Sequence, residues 1–173
     1  PPERQGEVAH RYVLGVYELH ERLLNEFPNL LIEGCSGGGG RFDPAMLYYS
    51  PQIWASDNTD PIERLYIQFG TSLCYPASTV GAHVSACPRT GYETKGNVAL
   101  WGTFGYELDP RKLTENDRAI VRRQVALYHD TYDLIRNGDL YRLISPFDNA
   151  FRAIWQIVSE DKSRTMVTVV TMR

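Results

Sequence analysis

The stretch LLIEGCSGGGGRFDP, residues 30–44, decides how the rest of the chain is read. Leu30-Leu31-Ile32 reads as a short buried strand whose carboxyl end runs directly into four consecutive glycines, Gly37 to Gly40. Four glycines in a row give up more backbone entropy on folding than any other four residues, so the run implies a sharp turn with something close against its backbone. Asp43-Pro44 then supplies an N-cap and a first-turn proline for a helix. A strand, a bare turn and a helix start in fifteen residues are the beginning of a β/α unit.

Outward from this stretch the pattern repeats. Upstream, Val8, Tyr12, Val16, Leu19, Leu23 and Phe27 recur at steps of three and four, the stripe of a long helix ending at Pro28. Downstream, Ile53-Trp54-Ala55 reads as a second buried strand ending at Ser56-Asp57-Asn58-Thr59, and Asp60-Pro61-Ile62-Glu63 opens a helix to about Phe69. Strand-like runs follow at residues 72–75, 80–84 and 104–108, the first of which equally continues the helix. Thr114-Glu115-Asn116-Asp117 opens a helix striped by Val121, Val125, Tyr128, Tyr132 and Ile135 and stopped at Asn137-Gly138.

After Gly138 the period changes to two. Phe151, Ala153, Trp155 and Ile157 alternate with polar neighbours, Glu160-Asp161-Lys162-Ser163 is a charged turn, and residues 165–172 are β-branched and apolar. This predicts a hairpin with no third long strand to cover it, marginal by itself. The fold class expected is α/β: the second half of a (β/α)8 TIM-type barrel over residues 1–140, then the opening strands of an antiparallel β-sandwich domain over residues 141–173.

Composition narrows the chemistry. With 18 Lys and Arg against 21 Asp and Glu, net −3, and no long like-charge block, nothing marks a nucleic-acid or anionic-membrane partner. No apolar run reaches the length of a bilayer span, and the first residues lack signal-peptide character. Cys35, Cys74 and Cys87, an odd number without a CxxC pair, predict reduced thiols and a cytoplasmic setting. His83 and Cys87 stand four apart, but His10, His20 and His129 fall on helical patterns, so no metal or cofactor is expected.

The glycines are not a phosphate loop. A Walker loop needs Gly-Lys-Ser/Thr, and here Arg41-Phe42-Asp43 follows. A dinucleotide GxGxxG counted from Gly37 would fall on Phe42 and set Asp43 where pyrophosphate should sit. What remains is a strand end with its backbone open to a neutral ligand, at the face where parallel barrels build their sites. Asp57 ends the next strand at that face beside Trp54; an Asx-turn role is the plain reading, and a general acid the functional one. Asp43 and Asp60 are more simply helix caps, Glu33 fits either a paired interior carboxylate or a ligand for hydroxyls, and Trp54 fits either a pocket wall or packing.

The block from Phe27 to Asp43, then Tyr48 to Asp60 with its SDNTD, then Gly81-Ala82-His83-Val84-Ser85, Gly102 to Asp109 and Tyr141 to Phe147, resembles the α-galactosidases of glycoside hydrolase family 36 over essentially the whole chain. The resemblance implies a (β/α)8 barrel followed by a small β domain, and retaining hydrolysis of terminal α-galactosyl groups from melibiose- or raffinose-type sugars. It makes Asp57 the acid/base carboxylate, and Cys35, Gly37 and Gly38 contacts of the galactosyl ring, with Trp54 as pocket support. It also implies a homo-oligomer, a tetramer in many bacterial relatives.

Two family features are missing: the nucleophile's Lys-Trp-Asp motif, and the Asn-His-Gln after the segment matching Cys87-Pro88, where Arg89-Thr90-Gly91 follows instead. A double displacement needs two carboxyl groups about 5 Å apart. The 173 residues by themselves are therefore expected to be inactive. A non-catalytic sugar-binding relic and a phosphate-binding domain are the competing readings, separated by galactose binding without turnover and by protection with phosphate.

Overall fold

A computed structural model describes residues 2–40 and 42–172. Helix α1 (Gln5–Glu26) ends at Phe27, just before Pro28, as the stripe predicts. Its apolar residues are less covered than a core helix requires: Val16 and Leu23 are half-buried, while Val8, Tyr12, Leu19 and Phe27 are mostly exposed. Its contact is with the short helix α3 (Pro44–Tyr49), where Tyr17 stacks on Tyr49 with ring centroids 5.8 Å apart.

The first strand is displaced from its expected place. β1 is Glu33–Gly34, not residues 30–32, and Leu31 is 83% exposed. A parallel strand is buried when neighbours and helices enclose it, and among the described residues β1 has one neighbour, β2 (Gln52–Ile53). β2 starts one residue before the expected run, and Ile53 bridges Val80 in parallel at the head of β3 (Gly81–Ser85). β3 pairs in parallel with β4 (Thr103–Glu107) along its whole length. The four strands thus follow one another in chain order, all parallel.

Helices occupy the connections. Between β1 and α3 lies a single tight turn, α2 (Ser36–Gly39). Helix α4 (Pro61–Thr71) joins β2 to β3, and Asp60 caps it by accepting from the N–H groups of Ile62 and Glu63. It runs through Thr71 to a C-cap at Ser72, so residues 72–75 are the helix end and a turn, not a strand. Helix α5 (Tyr92–Ala99), between β3 and β4, has no counterpart in the sequence expectation. Helix α6 (Glu115–Asn137) opens with the Thr114/Asp117 capping box. Its buried face is Ile120, Gln124, Thr131, Leu134 and Ile135, rotated from the predicted stripe, because Gln124 and Thr131 satisfy their polar groups internally. Val125 and Tyr132, expected inside, are exposed.

The carboxyl-terminal part corrects the two-stranded expectation. β5 (Asp139–Ile144), β6 (Arg152–Val158) and β7 (Thr165–Thr171) form an antiparallel sheet in that order, so the hairpin does have a third strand, on its upstream side. The predicted alternation holds at Ala153, Trp155 and Ile157, all buried, while Phe151 precedes the strand and is exposed. These side chains pack into the same core as Ile62, Leu65 and Phe69 of α4 and Leu134 and Ile135 of α6. Trp101 and Trp155 meet there with ring centroids 4.7 Å apart.

Candidate active site

The carboxyl end of β2 continues into Trp54-Ala55-Ser56-Asp57-Asn58-Thr59-Asp60. Most of its polar side chains have local work. Ser56 Oγ accepts from the Asn58 N–H at 3.1 Å, Asn58 Oδ1 from the Asp60 N–H at 3.1 Å, and Asp60 caps α4. The Asx-turn role that competes for Asp57 is thus filled by Ser56 and Asn58. Asp57 instead accepts from the indole N–H of Trp54 at 2.8 Å, on Oδ1, with its side chain exposed.

The glycines meet this carboxylate. Ser36, Gly37, Gly38 and Gly39 have φ of 65°, 67°, 76° and 88°, a left-handed turn closed by the Gly39 N–H on the Cys35 carbonyl at 3.0 Å. Three of the four positions are glycine because a Cβ disfavours that conformation. Space is the second reason. A Cβ on Gly38 would lie 2.9 Å from the Asp57 nitrogen and 3.4 Å from its Oδ2, and one on Gly39 would lie 2.7 Å from the Ala55 carbonyl oxygen. Cys35 and Gly37 are exposed at the same strand end. Of the predicted group, Gly38, Trp54 and Asp57 are therefore in contact, and Cys35 and Gly37 border them.

Two residues that sequence reasoning did not place in the site support it. His83 of β3 packs edge-on against Trp54, ring centroids 4.4 Å apart. Burial first, and the positive charge of Arg64 second, hold its imidazole below the ordinary value of 6.5. The Arg64 guanidinium lies 5.7 Å from the Trp54 ring centroid and donates to the carbonyls of Ser56 and Gly81. Arg64 shares the buried face of α4 with Ile62, Leu65, Gln68 and Phe69, so helical spacing could flag its burial but not its partners.

The other carboxylates play the simpler parts. Asp43 caps α3 and accepts from the Tyr17 hydroxyl at 3.1 Å. Burial pushes the Asp60 carboxyl up, but the N–H groups of Glu63 and Ile62 and the Arg89 guanidinium at 3.2 Å outweigh it and hold the group below its ordinary value. Glu33 accepts from the Gln52 amide across β1 and β2. A cavity of about 810 Å³ opens at the other end of the strands, lined by Ile32, Thr79 and Thr103 among others. It lies at the amino ends of the strands, the face that serves stability in barrel proteins, not chemistry. Among the described residues no cluster of three or more His, Cys, Asp or Glu could hold a metal ion, and no helix is long and apolar enough to cross a membrane.

A carboxylate presented where a parallel strand ends, against a bare backbone turn, places the chain among α/β proteins that build their sites at the carboxyl ends of their strands. Comparison with known proteins makes the assignment particular. Residues 1–138 match the Melibiase family model, and the chain belongs to that family. Alpha-galactosidase AgaA of Geobacillus stearothermophilus is 53% identical over 173 residues, which is 96% of this chain and 24% of that protein. Alpha-galactosidase 1 of Pediococcus pentosaceus is 53% identical over 178 residues, 99% of this chain and 24% of that protein. A crystal structure of an AgaA variant, a GH36 alpha-galactosidase in complex with raffinose, superposes with a TM-score of 0.93 at 52% identity, covering 98% of this chain and 24% of that one. The chain spans about a quarter of the length of these relatives.

Proposed function

We propose that the protein to which these residues belong is a retaining α-galactosidase that releases terminal α-linked galactose from raffinose- or melibiose-type sugars, and that Asp57 is its acid/base. The observation that carries this is the Trp54 hydrogen bond to Asp57, a carboxylate not used by the turn around it and set against the bare backbone of Gly38. The family and the raffinose and stachyose held by solved relatives support the substrate class.

In this reading residues 1–140 are the second half of a (β/α)8 barrel and residues 141–173 the first strands of a β-sandwich. The four parallel strands in chain order support the barrel half. The backbone of Gly37 and Gly38, with Cys35, lines the galactosyl ring, and Trp54 supports the acid. A second carboxylate from elsewhere in the polypeptide attacks the anomeric carbon while Asp57 gives its proton to the departing oxygen. Asp57, now a base, then takes a proton from the water that frees galactose. With Asp57 as the acid/base half alone, these residues do not complete the cycle. Assembly as a homo-oligomer in the cytoplasm, without a cofactor, belongs to the same reading.

The test is Asp57→Ala in the full-length protein, assayed on melibiose and on an activated nitrophenyl α-galactoside. General acid catalysis is worth roughly 10²–10⁴-fold. The variant is expected to lose about that factor on melibiose, which needs its leaving group protonated, and far less on the aryl substrate during bond cleavage. Equal rates for variant and wild type on both substrates would remove Asp57 from the chemistry.

A further inference from the structure

We propose that Arg64 and Trp54 form a positioning pair that fixes both the backbone and the carboxylate of Asp57, an inference that rests on the acid/base reading above. Arg64 is 2% exposed, and among the described residues it makes no ion pair. Burial opposes its charge and the Glu107 carboxylate offsets this only in part, from beyond ion-pair distance, so its nearest neighbours should reveal what retains it.

Its Nη1 donates to the Ser56 carbonyl at 3.2 Å, and its Nη2 donates to the carbonyl of Gly81 at the start of β3. The Ser56 carbonyl belongs to the same peptide unit as the Asp57 N–H. That nitrogen lies 2.9 Å from where a Gly38 Cβ would stand. The peptide from which Asp57 hangs is therefore gripped at its oxygen by Arg64 and backed at its nitrogen by the Gly38 backbone. A role confined to joining β2 to β3 would need only a neutral donor there.

The same cation reaches the side chain through Trp54. It lies 5.7 Å from the Trp54 ring centroid, within cation–π range. The His83 ring contacts the same indole at 4.4 Å. An indole held by both groups has its N–H aimed, and that N–H occupies Asp57 Oδ1 at 2.8 Å. Oδ2 is left to carry the transferable proton, and it faces Gly38, where no side chain stands. The pair thus decides which oxygen of the acid is protonated and keeps that oxygen toward the open turn.

The experiment uses the full-length protein with Trp54→Phe, Arg64→Met and Arg64→Lys, each assayed on methyl α-galactoside and nitrophenyl α-galactoside with kcat and KM separated. Trp54→Phe keeps an aromatic face and removes the N–H together with the five-membered half of the indole. It is expected to lower kcat on the methyl glycoside by about tenfold or more, a part of the acid's contribution, with KM unchanged, while kcat/KM on the nitrophenyl substrate, which reports bond cleavage alone, is largely spared. Arg64→Lys is expected to retain more activity on the methyl glycoside than Arg64→Met. Should Arg64→Met fail to fold, Trp54→Phe still decides. Equal loss of kcat/KM on both substrates, or a change confined to KM, overturns the proposal by making Trp54 a wall or a sugar contact. Asp57→Ala run alongside separates the two levels. If it shows leaving-group dependence and Trp54→Phe shows none, only the positioning role falls. If Asp57→Ala shows none, the acid reading falls and takes the pair with it.

Discussion

Gly38 carries two constraints at once, a φ of 76° and a missing side chain where the Asp57 nitrogen passes. Either alone would favour glycine, and together they tie the turn's shape to the carboxylate beside it. His83, on the other side of Trp54, makes the pH dependence of this corner predictable. Its folded imidazole binds a proton less readily than an ordinary histidine of 6.5, chiefly through burial. As pH falls through that ordinary value the unfolded chain takes up a proton that the folded chain resists. Stability must then decrease toward acid. In urea melts followed by tryptophan fluorescence, the midpoint is expected to fall between about pH 7 and pH 5, and His83→Gln is expected to fall less because the carboxylates are common to both. An identical fall in both would remove His83 as a source. That Asp57 stands beside Trp54 at the strand end was legible in the sequence. Arg64 and His83 were not, because their part depends on three segments meeting around Trp54, which linear spacing does not encode.

Among the elements, those that announce themselves by end chemistry were the readable ones. Asp43-Pro44, Asp60-Pro61 and Thr114 with Asp117 each cap a helix as the sequence predicts. Helix α5 has no side-chain cap and a glycine inside it, Gly96, where a Cβ would collide with Gln124 of α6. Its position is set by packing on β3, α4, α6 and β7, so no local signal exists to read. β5 likewise follows a helix without a break, and its place comes from pairing with β6. Gly138 between them has a φ of −78°, so it is not a left-handed stop; it is small because Leu134, Ile157 and Val158 press on it. The cap at Asp60 lies three residues from the proposed acid, and its function separates cleanly from it. Asp60→Ala is expected to lower stability by about 1 kcal/mol, whereas Asp60→Asn, which can still accept from Ile62 and Glu63, should cost much less. Chemical denaturation of both variants measures this. A comparable loss in the two would shift the weight from the cap to the Arg89 ion pair.

Over the whole molecule, the alternation of strands and helices and the change to period two after Gly138 were visible in the sequence, but the way the two parts share one core was not. Trp155 of β6 is fully buried against Trp101, which in turn contacts Phe69 of α4 at 5.5 Å between ring centroids. Leu134 and Ile135 of α6 belong to the same cluster. Trp101 lies between α5 and β4 and Trp155 in the antiparallel sheet, more than fifty residues on, so neither local pattern points to the other. If residues 1–140 and 141–173 are separate domains in sequence, their packing still couples them. Removing a buried tryptophan side chain costs about 3–5 kcal/mol, and here both parts line the space it would leave. Trp155→Ala in the full-length protein is therefore expected to raise amide hydrogen exchange in α4 and α6 together with β6 and β7, because openings that expose one side of a shared core expose the other. Faster exchange confined to β5, β6 and β7 would mean instead that the sheet opens by itself, and that the division at residue 140 is a folding boundary as well as a change of pattern.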